Sequence, residues 1–205
     1  VKALFLDCTD AAEKQFAGLR RLMPRLAAEL PGLVYREWQG QITRCRWRPR
    51  LGIVLIAGHG SPERAAFRSP LGYLTPESLR LPAGARLYLL GCHQGRPDLL
   101  RGWAAGTGLA EERVHGHGGE TESAFSTCLL LHLLEDGLGS LETWFDAWRR
   151  CNEGLQRHFP LLRAAYSDCQ GDPLRAWERV RGLPGVEAHR EFLGSGLRHP
   201  EYLTG

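Results

Sequence analysis

Short apolar runs alternate with amphipathic stretches along this chain, and the alternation predicts its elements. Residues 2–7 hold Ala3-Leu4-Phe5-Leu6, and residues 33–38 form a second run. The third is Gly52-Ile53-Val54-Leu55-Ile56-Ala57, and the fourth is Ala85-Arg86-Leu87-Tyr88-Leu89-Leu90. The third and fourth are brief and bounded by Gly or Pro, as buried strands of a parallel sheet are. Arg113-Val114-His115 predicts one more short strand. Between the runs, apolar residues recur at helical spacing. Phe16, Leu19, Leu22, Met23, Leu26 and Leu30 predict a helix over 11–30, capped by Thr9 or Asp10 and kinked or split at Pro24. Pro97 opens a helix reaching Gly106; Phe125, Leu129, Leu130, Leu133 and Leu134 mark another over 120–135. Ser140 caps a further one, with Leu141, Trp144, Phe145, Trp148 and Leu155 on its apolar face. Strands alternating with helices predict an α/β fold with a mainly parallel central sheet flanked by helices.

Three stretches are less regular. Residues 39–50 are polar and basic and read as a hairpin arm. Residues 61–82 form a long, Pro-bearing connection, expected to act as a mobile gate. Residues 160–170 suit helix or strand. Beyond the turn at Gly171-Asp172-Pro173, residues 174–181 read as helical and the remainder as loosely structured.

Composition narrows the class. The chain has 205 residues, 43% of them hydrophobic, and a net charge of +3, so no nucleic-acid partner is indicated. Six cysteines without CxxC spacing read as reduced thiols, which points to the cytoplasm. No apolar run is long enough for a membrane span, and no leader pattern precedes the first strand, so neither membrane nor secretion is expected.

The candidate chemistry lies beyond two of the strands. The third run leads into Gly58-His59-Gly60 and the fourth into Gly91-Cys92-His93-Gln94-Gly95. Ligands of parallel α/β sheets sit outside the carboxyl ends of the strands, so neighbouring strands here would present an imidazole beside a thiol. His59 is the candidate general base and Cys92 the nucleophile. The backbone N–H groups of Gly60 and Cys92 are candidate oxyanion donors. Gly95 allows a turn into a helix whose N-terminal end would favour the thiolate. A buried Cys beside a satisfied core His is the structural alternative. A zinc site drawing on His59, Cys92, His93, His115 and His117 is another, though no short ligand spacing supports it, and no metal or cofactor is expected.

A strand ending in Gly58-His59-Gly60, paired with one ending in Cys92-His93-Gln94-Gly95, resembles the caspase-like cysteine peptidases, and most closely their bacterial CHAT group. The segment from His158 through Gly171-Asp172-Pro173 resembles that group's last core strand, so residues 161–169 are expected as a strand. Leu90 stands where metacaspases carry Asp, and the connection between the two motifs is short for the family. The resemblance implies a three-layer sandwich, with a peptidase domain over 1–173 and a helical extension over 174–205. It implies a His59–Cys92 endopeptidase of regulated proteolysis, in bacterial defence or cell death. Its substrate would be a protein, gasdermin-like pore formers being one example, and its activator a separate chain. Asp7 and Glu120 are the acidic candidates for a pocket that selects the residue before the cut. A catalytically silent caspase-like interaction module is the alternative, and a zinc hydrolase the next.

Overall fold

The structure, a computed structural model, describes residues 2–38, 40, 51–169, 175, 178–179, 182–183 and 189–203. The arm expected over 39–50 and the helix expected over 174–181 lie almost wholly outside the described residues. The chain forms two compact units, one of residues 1–10 and 31–121, the other of 11–30 and 122–205.

The first unit is built on five parallel strands in the order β2-β1-β3-β7-β8. These are β1 (Lys2–Asp7), β2 (Leu33–Glu37), β3 (Leu51–Ala57), β7 (Arg86–Leu90) and β8 (Val114–Gly116). All the expected strands up to residue 116 are present, and the α/β class holds. Residues at alternate positions, Leu4 and Leu6, Val54 and Ile56, Leu87 and Leu89, join one apolar cluster with Trp103 and Ala104 of α2 (Pro97–Thr107). The intervening Phe5, Leu55 and Tyr88 are buried as well. Strands buried on both faces have no polar alternation, which is why they read as continuous apolar runs. Each such Leu or Ile contributes about 1.5–3 kcal/mol by leaving water.

A second, antiparallel sheet, β4-β5-β6, branches from the first. It comprises β4 (His59–Gly60), β5 (Phe67–Ser69) and β6 (Gly72–Leu74). Residues 61–82 are thus not a bare loop. Ala66, Phe67, Leu74 and Leu79 are fully buried, while Leu71 and Tyr73 at the tip are exposed. Arg64 stacks on the Tyr73 ring, 3.8 Å from its centroid.

The second unit is helical: α1 (Ala17–Glu29), α3 (Ser123–Asp136), α4 (Leu141–Leu155), α5 (Phe159–Asp168) and α6 (His189–Arg198). The centre is α3, buried from Phe125 through Leu133, with α1, α4 and α6 against it. A helix apolar all round must be covered all round. Four expectations are corrected here. Residues 11–16 are not part of α1, which begins at Ala17 without a side-chain cap and runs through Pro24 unbroken. Ser140 sits at the N-cap of α4, but its hydroxyl donates back to the Gly137 carbonyl. The stretch near the end is not loose: α6 buries Phe192 and Leu193, and Leu203 follows them inside.

The fourth correction concerns residues 161–169, expected as a strand. Residues 159–168 are α5, with Pro160 in its first turn, a position where a missing N–H costs nothing. Phe159, Leu162 and Ala165 are buried while Leu161 is 55% exposed, a period of three that no strand has. Leu, Arg and Ala are good helix formers, and their preference prevails over the resemblance. Among the described residues, no helix is long and apolar enough to cross a membrane.

Candidate active site

The site sits at the carboxyl ends of β3 and β7. These strands pair in parallel, Ala57 level with Leu90. His59 lies two residues beyond Ala57 and Cys92 two beyond Leu90, so equal extensions leave strands about 4.8 Å apart. Gly58 turns the chain out of the large sheet into the small one. Its φ of 150° suits glycine, and a Cβ there would press on Cys8 at 2.9 Å. His59 then pairs with Arg68, and Gly60 with Phe67.

The two loops meet backbone to backbone. A Cβ on Gly60 would overlap the Cys92 carbonyl, and one on Gly91 would lie 2.7 Å from the Gly58 carbonyl and 3.1 Å from the Gly60 nitrogen. The candidate oxyanion residues Gly60 and Cys92 are therefore neighbours, and glycine on both sides is what lets them approach. Gly95 serves the same end with a third loop: a Cβ there would overlap Gly116, and its N–H donates to the His117 carbonyl at 2.8 Å. Gly95 also lies in the expected turn, closed by the Arg96 N–H on the His93 carbonyl at 3.0 Å, and close approach leaves no room there for a Cβ.

Gln94 locks the arrangement. Fully buried, its Oε1 accepts from the Ala66 N–H (3.1 Å) and from Trp103 Nε1 (2.7 Å), while Nε2 donates to the Ser61 carbonyl at 2.7 Å. One amide thus joins the cysteine loop, the strand pair carrying His59, and α2. His93, between Cys92 and Gln94, has a φ of 64° and donates its N–H to the Gly119 carbonyl at 2.7 Å. A non-glycine residue in the left-handed region carries backbone strain of about 1–2 kcal/mol, and such strain gathers at functional sites.

Cys92 is half-buried, and its sulfur faces Thr121. The Thr121 N–H donates to Sγ at 3.3 Å, Oγ1 lies at 3.6 Å, and the thiol can donate to the Thr121 carbonyl at 3.8 Å. Among the described residues, Thr121 supplies every hydrogen bond that the sulfur makes. The helix whose N-terminal end was expected to favour the thiolate, α2, starts at Pro97 as expected, five residues beyond Cys92.

The acidic candidates differ. Asp7 ends β1 level with Ala57, but it is buried, with Oδ1 accepting from the Thr9 N–H and Oδ2 from the Tyr35 hydroxyl, both at 2.8 Å. Glu120 is half-exposed and adjoins Thr121. His93, His115 and His117 do not assemble a metal centre: among the described residues, no three His, Cys, Asp or Glu side chains are grouped to hold an ion. His115 instead stacks on Tyr88, centroids 4.8 Å apart.

Gln94 and Thr121 were not picked out as site residues from sequence. A polar residue inside a Gly-flanked motif was the available signal for Gln94. For Thr121 it was the Gly-His-Gly-Gly segment leading away from a predicted strand. Against known proteins, no family model matches this chain, and no curated protein does.

Proposed function

We propose that the protein is a cysteine endopeptidase in which His59 and Cys92 act as a dyad. The observation that carries this reading is the pair of equal strand-end extensions on adjacent β3 and β7, held loop against loop by Gly60, Gly91 and Gln94. In this reading His59 takes the thiol proton and the sulfur attacks the scissile carbonyl. The N–H groups of Gly60 and Cys92 stabilise the oxyanion. The C–N bond breaks as the proton passes from the imidazole to the leaving amine, and water then cleaves the thioester.

The substrate is a protein, cut within a regulated process such as bacterial defence or cell death and under control of a separate activator chain. Glu120, half-exposed beside Thr121, suits an Arg or Lys before the cut better than Asp7, which is buried. The sulfur's bonds to Thr121, with His59 not among its partners, favour a second reading: a caspase-like interaction module without activity.

A cleavage profile of a cell extract separates the two. New N-termini should appear with the wild type and vanish with Cys92→Ala and with His59→Ala. If the cuts follow Arg or Lys, that preference should weaken in Glu120→Gln and persist in Asp7→Asn. A wild-type profile identical to that of Cys92→Ala supports the silent module.

A further inference from the structure

The endopeptidase reading leaves one contact of the nucleophile unused. Thr121 offers its N–H to the Cys92 sulfur at 3.3 Å and carries a hydroxyl 3.6 Å away that can turn to donate as well. Its place is fixed independently of the sulfur. The segment that follows β8 is tied to the cysteine loop by two backbone bonds, His93 N–H to the Gly119 carbonyl at 2.7 Å and Gly95 N–H to the His117 carbonyl at 2.8 Å. The backbones of Gly95 and Gly116 are so close that neither residue tolerates a Cβ without displacement. A donor held by such a frame need not reorganise when charge develops on the sulfur, the condition under which a hydrogen bond stabilises an anion best.

We propose that Thr121 is the positioning residue of the Cys92 thiolate. Its N–H and hydroxyl together hold the sulfur at the mouth of the β3–β7 edge and stabilise its charged form. This rests on the endopeptidase reading. In the thiol form the Thr121 carbonyl accepts the S–H and the hydroxyl is free to choose its role. When the proton leaves for the imidazole, the hydroxyl turns to donate, so the anion gains a second donor as it forms. A hydrogen bond to a charged group is worth about tenfold or more in that equilibrium. Serine at position 121 supplies the same hydroxyl and the same N–H; valine keeps the shape and the N–H alone.

Alkylation by limiting iodoacetamide, mapped by peptide mass spectrometry, tests this without any substrate. Iodoacetamide reacts with the thiolate, so the labelling rate of Cys92 follows the thiolate population. At pH 7, Thr121→Val should slow Cys92 labelling about tenfold, while Thr121→Ser stays within about twofold of the wild type. At pH 10 the rates should converge, because base then supplies the thiolate whatever the donors. Buried Cys8 and Cys128 report on folding, since a disrupted variant exposes them. Thr121→Ala removes the same hydroxyl with less bulk and should behave as the valine variant does. Equal labelling of valine variant and wild type at pH 7 overturns the inference while leaving the dyad standing. So does slowing that persists unchanged at pH 10. If wild-type Cys92 reacts no faster than Cys8, Cys128 and Cys151, the endopeptidase reading itself falls.

Discussion

Two cysteines stand just beyond the carboxyl ends of strands in one parallel sheet, and the fold treats them in opposite ways. Cys8 follows β1 directly. Its N–H donates to the Ala57 carbonyl at 2.8 Å, its side chain packs in the apolar cluster, and a Cβ on Gly58 would press against it. Burial, reinforced by the charge of Asp7, pushes its thiol far above the ordinary range. Cys92 follows β7 after one glycine, half-exposed, with polar groups of Thr121 around its sulfur. Position at the end of a strand therefore does not make a thiol reactive. What separates the two is one residue of extra reach, which carries Cys92 out of the core and into a frame of backbone groups.

The largest contrast should come from removing each thiol in turn. Cys92→Ala is expected to reduce peptide cleavage by on the order of 10⁴-fold, and His59→Ala comparably, with the double variant no worse than either. Cys8→Ala should keep cleavage within about threefold and cost roughly 1–2 kcal/mol of stability through the small void it leaves. Loss of cleavage in a folded Cys8→Ala protein would erase the distinction.

Gln94→Leu tests what holds the reactive end in place. It leaves the Ala66 N–H, the Trp103 indole N–H and the Ser61 carbonyl without their partner. The expected destabilisation is about 3–5 kcal/mol, read by urea or thermal unfolding. A change below about 1 kcal/mol would mean that the amide is dispensable. Gly60→Ala is the subtler probe. The new methyl meets the Cys92 carbonyl and must push the two loops apart. Misplacement of that kind costs about 100-fold in cleavage rate, with the unfolding midpoint moving far less than in Gln94→Leu.

The smallest effect lies in the alkaline limb of stability. Cys8 stays protonated in the fold at pH values where the unfolded chain has ionised it, so the unfolded state binds fewer protons and stability falls as pH rises above about 9. Cys151, pushed up to about 12 by burial, adds to the same fall. Cys8→Ser should flatten the decline between pH 9 and 10.5, by up to about 1.4 kcal/mol per pH unit. An unchanged slope would show that burial does not hold the Cys8 thiol neutral.

Much of the frame was legible because parallel strands buried on both faces announce themselves as apolar runs. β1, β2, β3, β7 and β8 all fall where those runs lie, and His59 and Cys92 follow from the residues that terminate two of them. The rest depends on approach in three dimensions, which spacing does not encode. Gln94 is polar in sequence and fully buried in the fold because three separate segments offer it partners. Residues 61–82 looked like a gate because they are long and Pro-bearing, yet Phe67 and Leu74 anchor a small sheet there. Residues 159–168 mislead in the other direction: their helical composition was the better guide, and likeness to a family's strand was not. In α6, Phe192 and Leu193 sit among Gly and polar residues, so their burial left little periodic signal.

The central claim is that Cys92, and not its neighbour at the end of β1, is the nucleophile. A panel of peptidyl acyloxymethyl ketones, varied in the residue next to the reactive group, tests it most directly. These reagents alkylate a cysteine that attacks a bound peptide carbonyl, and peptide mapping locates the adduct. The account predicts one peptidyl adduct per chain, on Cys92, formed with at least one member of the panel and lost in His59→Ala. An adduct on Cys8 or another cysteine, or none with any member of the panel, would contradict it.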